Sequence, residues 1–466
     1  MRSELQKYFG DKPFWKAVLA IAVPIAIQSL LSNSFSMVDT LMVGQLGDIS
    51  LSGSGMAGQW SFIMNIILSG ISSGMGIFAA QYWGVNDRKN IRRSYGVSMF
   101  LTVSFSLFFF LTGLCCPRLI LRLFTKETAV IEEGARYLRI VCFSYPAIGI
   151  AGIAATLLRS TECVKVPMYS SFLSTVVNCA ANYVLIFGKL GLPVMGIRGA
   201  ALATDISAWI GVLFIFWLSH RQNNLLYGHF SELRFDAAYL KVFLKTAVPV
   251  SAGLAVWGFG TVAYNVIFGH LGYENYAAIT IMTTFQNSIS FFISGIGAAC
   301  CVLVGKSIGA GLIEKGYADA RRFAVIMPAG SLICGLLLIP FRTVMVRLFN
   351  LSGNMTAYTL HMASTLLLIV GLEIVIRYVS FIDVTGIFQS GGDAVAGLWI
   401  NGISLWFVAL PLTAIAAFWL KLPFAAVYTV MLLGEDIPKT ILCTRHLVSR
   451  KWIKPVTEQG KQAINS

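Results

Sequence analysis

Very few residues in this chain have side chains suited to chemistry, and most of them lie inside apolar runs. In the run 17–43, Gln28, Ser32, Ser36 and Asp39 recur at i, i+4, i+8 and i+11, which places all four on one face of a helix. An ionised Asp near the centre of a bilayer costs about 2.5–3.5 kcal/mol on insertion scales. Asp39 is therefore expected to face protein and to hold a proton or a cation; the competing reading is a snorkelling acid at the membrane interface, since it lies about four residues from the outer end of the run. Asn178 and Asn182 lie one turn apart on a later run and stack their amide oxygens on one side. Thr204 and Asp205 follow on the next run. Hard cations prefer clusters of oxygen ligands, so the expected cation-coupling group is Asp39, Asn178, Asn182, Thr204 and Asp205, with Na+ as a metal candidate at Asp39, Asn178 and Asn182. The competing role for the amides is hydrogen-bonding glue between helices. Asp205 reads equally well as a second carboxylate of the group or as part of a cavity wall.

The second half is expected to behave differently. A shift of 225 residues carries Asp39 onto Tyr264, uncharged at neutral pH, so the coupling chemistry is expected in the first half. Glu373 and Arg377 stand at i, i+4 and are expected to neutralise each other, whereas Asp383 has no local partner. The chain holds 32 Phe, 16 Tyr, 10 Trp and 15 Met, surfaces that suit apolar cations through cation–π and thioether contacts. Gln28, Ser36, Asn65, Trp257, Tyr264, Gln286, Asn287, Trp406 and Asp383 are the candidates for a substrate cavity.

Other chemistries find no support. Val304-Gly305-Lys306-Ser307 is the nearest approach to a nucleotide loop, but Cys300 stands where that loop needs Gly. The pairs Gly74-Met75-Gly76 and Gly295-Ile296-Gly297 sit inside apolar runs rather than after a strand, so a dinucleotide fold is not expected. Nine Cys without a CxxC pair and five scattered His read as buried small residues rather than a disulfide or zinc framework. No cofactor is expected beyond a coupling ion, H+ or Na+.

The elements that must hold these residues are membrane spans. Of 466 residues, 56% are hydrophobic and 12% charged, and mean hydropathy is +0.74; an ordinary soluble chain is about 25% charged. Twelve apolar runs lie near 17–43, 54–81, 95–116, 135–158, 168–187, 198–219, 242–268, 277–305, 322–340, 361–388, 396–418 and 423–444. The first is too long for a signal-peptide core of about 7–15 residues. With the N-terminus placed in the cytoplasm, 24 of the 35 Lys and Arg fall inside and 8 outside, the bias that cytoplasmic loops carry. The net charge of +14 thus reads as topology, and no nucleic-acid partner is expected.

At the same shift of 225, Ala22-Val23-Pro24 superposes on Ala247-Val248-Pro249, Leu46-Gly47 on Leu271-Gly272 and Ser69-Gly70-Ile71 on Ser294-Gly295-Ile296. Six spans per copy make the two copies parallel repeats, the arrangement of lobes that rock about a central cavity. The expected fold is all-α and polytopic, with twelve transmembrane helices in two six-helix lobes related by a parallel pseudo-two-fold axis. The expected divisions are an N-lobe at 1–219, a cytoplasmic linker at 220–241, a C-lobe at 242–444 and a cytoplasmic tail at 445–466.

These motifs resemble the multidrug and toxic compound extrusion (MATE) transporters. The matching stretches are Ala22-Val23-Pro24, Val38 through Gly47, Leu158-Arg159-Ser160, Asn178 through Gly188, Gly199 through Thr204 and Gly391-Gly392-Asp393. The resemblance implies two bundles that export cationic, amphipathic compounds in exchange for H+ or Na+. It carries the coupling acid onto Asp39, the fifth-helix amide onto Asn178 and the sixth-helix hydroxyl onto Thr204. Asn182 replaces an Asp common in the family, and Trp257 falls at or near the seventh-helix Glu of NorM-type members. A DinF-like branch coupled through the N-lobe is the expectation. The remaining expectations are organic cation substrates, membrane lipids as surroundings, a monomer, and an inner (plasma) membrane location with both termini cytoplasmic. The alternative is a lipid-linked precursor flippase of the related superfamily.

Overall fold

Long apolar sequence in lipid must satisfy its backbone hydrogen bonds internally, and helices do so within a single segment. The computed structural model describes residues 9–44, 46, 48–124, 127–226, 236–271, 273–349 and 356–465, and all regular structure among them is helical. The first half comprises α1 (Lys12–Gly44), α2 (Asp48–Gly84), α3 (Arg88–Cys115), α4 (Pro117–Arg122), α5 (Thr128–Val141), α6 (Ser144–Ser160), α7 (Lys165–Phe187) and α8 (Ile197–Arg221). The second comprises α9 (Ala237–Gly269), α10 (Tyr273–Gly309), α11 (Ile313–Phe349), α12 (Ala357–Gly391), α13 (Ala394–Trp419), α14 (Phe424–Val448) and α15 (Glu458–Asn465). Among the described residues nine helices are long and apolar enough to cross a membrane, and the bent pair α5–α6 makes a tenth.

Local chemistry sets several boundaries. The Asp87 carboxylate accepts from the Asn90 N–H at 3.0 Å and starts α3. The Thr356 hydroxyl does the same for α12 through the Thr359 N–H at 3.2 Å, in each case satisfying a backbone donor left free in the first turn. The fourth apolar run, expected as one span, is broken: α5 and α6 meet at 51°. Pro146 accounts for this, because a proline ring has no N–H to donate and clashes with the carbonyl four residues back, here that of Cys142. Gly199 on α8 lets two helices meet closely, since a Cβ there would lie 2.7 Å from the Leu185 carbonyl of α7. Two turns of π-helix interrupt α13, at Ile403–Ala409 and Ile415–Trp419, and one lies in α12 at Asp383–Phe388.

The chain forms two compact units. One is Pro24–Ser251; the other is Ala252–Ser466 together with the stretch ending at Val23. Both divisions fall inside helices, near Pro24 of α1 and Pro249 of α9. The core of the second unit gathers Tyr264, Phe268, Met282, Leu366, Leu367, Val427 and Tyr428, all buried.

The segment after α14 is sewn into this second unit. Trp452 is fully buried, and its indole N–H donates to the Leu447 carbonyl at 3.1 Å. The Lys454 N–H donates to the Gly391 carbonyl at 2.7 Å. Asp393, between α12 and α13, accepts from Lys454 Nζ at 2.9 Å and stands 3.1 Å from His446 Nε2. The Thr457 hydroxyl reaches the Gly309 carbonyl at 2.6 Å.

Candidate functional site

In the Pro24–Ser251 unit, α7 packs against α8, and its inward face carries Asn178 and Asn182, both with no solvent exposure. The Asn182 amide is central. Its Nδ2 donates to Asp39 Oδ1 at 3.0 Å and to Asn178 Oδ1 at 2.8 Å. Asn178 Nδ2 in turn faces Ser207 Oγ at 3.5 Å, and the Ser207 hydroxyl donates to the Thr204 carbonyl at 3.0 Å. The chain Asp39–Asn182–Asn178–Ser207 joins α1, α7 and α8. Asn182 Oδ1 is buried without a hydrogen-bond partner; turning that amide over would aim its oxygen toward Asp39 and Asn178, so one side chain can offer either donors to a carboxylate or oxygen to a cation.

Thr204 lies beside this chain, its hydroxyl donating to the Ala200 carbonyl at 3.1 Å. Tyr137 of α5, which the sequence alone does not single out, is buried next to Thr204 and within electrostatic reach of Asp39 and Asp205. Asp205 is placed differently from its neighbour. Its carboxylate accepts from the backbone N–H of Ser144 at the start of α6, and Trp209 Nε1 donates to the Phe143 carbonyl at 3.1 Å. Asp205 thereby satisfies a backbone donor left free at the start of α6, and Trp209 adds a second tie from α8 to the same break. Asp205 Oδ1 is buried and unpartnered.

The cavity candidates of the first half divide. Gln28 donates to Ser171 Oγ at 3.1 Å and accepts from Arg159 Nη1 at 3.2 Å, while Arg159 Nη2 reaches the Thr156 hydroxyl at 2.9 Å. This group has no hydrogen bond to Asp39. Asn65 is exposed on α2 and forms no part of either group. The side chains of Ser32 and Ser36 lie outside the described residues.

In the Ala252–Ser466 unit a cavity of about 490 Å³ is lined by Trp257, Tyr264, Gln286 and Asn287, four of the candidates, together with Arg377, Glu435, Asp436 and Lys439. The Tyr264 hydroxyl donates to Glu435 Oε2 at 3.3 Å. The close ion pair of Arg377 is with Asp436 of α14, Nε to Oδ2 at 3.5 Å, while Glu373, buried beside them, is within electrostatic reach of both rather than in contact with Arg377. The Arg side chain is long enough to cross to another helix, and the adjacent acids Glu435 and Asp436 inside an apolar run were the sequence signal for it. Asp383 is not on the cavity wall. It is 1% exposed in the π turn of α12, with neither oxygen hydrogen-bonded. Trp406 points away as well, exposed, with its N–H on the Val256 carbonyl.

Apolar helices bundled around buried carboxylates and amides define a polytopic membrane protein with polar side chains inside each unit. The MatE family model matches residues 24–184 and 249–445, so the chain belongs to the MatE family, a family of transporters rather than enzymes. It is 24% identical over 445 residues to a probable multidrug resistance protein NorM of Thermotoga maritima, covering 94% of this chain and 93% of that one. It is 23% identical over 462 residues to the uncharacterized transporter YisQ of Bacillus subtilis, covering 97% and 98%. Among solved structures, a MATE in the bent conformation matches with a TM-score of 0.85 at 18% identity, covering 99% of both chains. An outward-facing multidrug resistance MATE family transporter matches with the same TM-score over 96% of this chain and 98% of that one.

Proposed function

We propose that this transporter is a multidrug efflux antiporter, exporting organic, mostly cationic amphipathic compounds in exchange for H+ or Na+ by alternating access. The observation that carries the proposal is Asp39 tied to Asn182, and through it to Asn178, on the buried face between α1 and α7. A carboxylate so enclosed has few ways to balance its charge. It takes a proton or a monovalent cation, or shares its field with the amide donors, and its occupancy changes which of these hydrogen bonds survive. Helix α1 would then shift against α7 and α8, biasing the transporter toward one side of the membrane.

In this reading α10 (37 residues) and α14 (25 residues) join the ten apolar spans to make twelve, in two six-helix lobes with both termini in the cytoplasm of an inner-membrane monomer. The cavity bounded by Trp257, Tyr264, Gln286 and Asn287 supplies aromatic and amide surface for substrate. NorM-type names are frequent among the relatives, and the placement of coupling in the first half is the DinF-like feature of the proposal.

The test is efflux of an organic cation from energised vesicles by wild type and Asp39→Asn, with the pH gradient and Na+ varied separately. Gradient-dependent efflux in wild type and its loss in the variant are expected. Equal efflux by both overturns the role of Asp39; scrambling of a lipid-linked oligosaccharide with no cation efflux replaces the antiporter by the flippase.

A further inference from the structure

A shallow, wide-open groove of about 480 Å³ runs along one face of the first turns of α9. Its lining is the apolar Leu240, Leu244, Val248 and Pro249 with Lys241 and Lys245 beside them on the same helix. The opposite face of α9 is occupied: Phe243 and Ala247 are buried, and the Phe243 ring stacks on Phe78 of α2 at 5.6 Å. The groove face is open by comparison, with Val248 55% exposed.

Two facts say what fits it. The first is depth. The apolar span Ala237–Phe268 has 32 residues, about 48 Å of helix at 1.5 Å per residue, against about 30 Å of hydrocarbon. An upright helix centred on the hydrocarbon would leave roughly its first six residues among lipid headgroups. So placed, Lys241 would stand at that level, Lys245 one turn deeper at the hydrocarbon edge, and Leu244, Val248 and Pro249 would lead inward.

The second fact is charge. The nearby acid, Asp236, is engaged by Arg93 and by the Tyr239 N–H. Among the described residues neither Lys241 nor Lys245 has an ion-pair partner. Among the described residues the groove thus offers two lysines without an ion-pair partner beside an apolar surface, the polarity that suits an anionic phospholipid standing in its leaflet.

We propose that this groove on α9 is a binding site for one anionic phospholipid, its phosphate between Lys241 and Lys245 and an acyl chain along Leu244, Val248 and Pro249. The site is separate from the Asp39 group and stands whether or not the coupling reading holds.

Native mass spectrometry of the full chain in detergent, titrated with phosphatidylglycerol or with phosphatidylcholine, tests it. Wild type is expected to retain one phosphatidylglycerol in preference to phosphatidylcholine. The double variant Lys241→Gln/Lys245→Gln is expected to weaken that binding roughly 10- to 30-fold, at about one kcal/mol per lysine. Val248→Trp, a change at an exposed position that fills the groove and keeps both charges, is expected to displace the lipid as well, and inorganic phosphate is expected to leave it bound. Equal retention of the two lipids, undiminished binding in the double variant, indifference to Val248→Trp, or displacement by inorganic phosphate would each overturn the proposal.

Discussion

At the scale of single residues, Asn182 is the link in the proposed coupling group, because one amide serves both Asp39 and Asn178. Asn182→Ala removes that donor and leaves the buried Asn178 oxygen short of a partner, a loss of about 1–3 kcal/mol. It is expected to abolish gradient-driven efflux while leaving the protein folded, read by vesicle transport beside a thermal melt. Tyr137→Phe deletes only the hydroxyl beside Thr204, and a several-fold fall in efflux with little change in melting temperature is the expected outcome. Asp39, Asn178 and Asn182 were legible in the sequence because a lone acid and an i, i+4 amide pair stand out in apolar runs. Tyr137 was not, since a tyrosine in an apolar stretch carries no signal until the fold aims it. The acids Glu435 and Asp436 stood out in their apolar run, but spacing reveals neighbours on one helix only, so their pairing with Arg377 of another helix was not legible.

Among elements, the contact of α7 with α8 depends on Gly199. Gly199→Ala places a methyl group 2.7 Å from the Leu185 carbonyl, and overpacking of this kind costs about 1–3 kcal/mol. A lower melting temperature and weakened coupling, since the face carrying Asn178 and Asn182 moves with α7, are the expected readouts. The start of α9 offers a pH test outside the spans. The Tyr239 N–H, with Arg93 beside it, holds the exposed Asp236 carboxyl below the usual carboxylate range. A lowered folded pKa means that the cap contributes fully above the ordinary Asp value and is lost as pH falls through the lowered one. Hydrogen exchange in the first turn of α9 is expected to rise below about pH 4 in wild type, and to show no such acid dependence in Asp236→Asn. The positions of these helices followed from apolar runs, but the α5–α6 break did not, because Pro146 was read as part of a continuous span.

For the whole molecule, the repeat and the apolar runs made a helical membrane fold legible, and Pro24 and Pro249, which the repeat superposes, lie close to where the compact units divide. The segment after α14 was the part that composition hid. It is short and polar, and read as a tail, yet Trp452 is buried and a Cβ on Gly391 would lie 2.4 Å from its ring. Trp452→Ala is expected to cost about 3–5 kcal/mol and to expose residues 449–465 to protease, seen as early C-terminal clipping on a gel.

The same arrangement bears on how the protein is handled. A cloning boundary drawn at Val448, where the last long helix stops, would discard the indole and the lysine that close over the α12–α13 corner. Shortened versions made for crystallisation, or reporter fusions joined at that point, would begin life with an open seam in the second unit, and poor yield from them would be a fault of the cut.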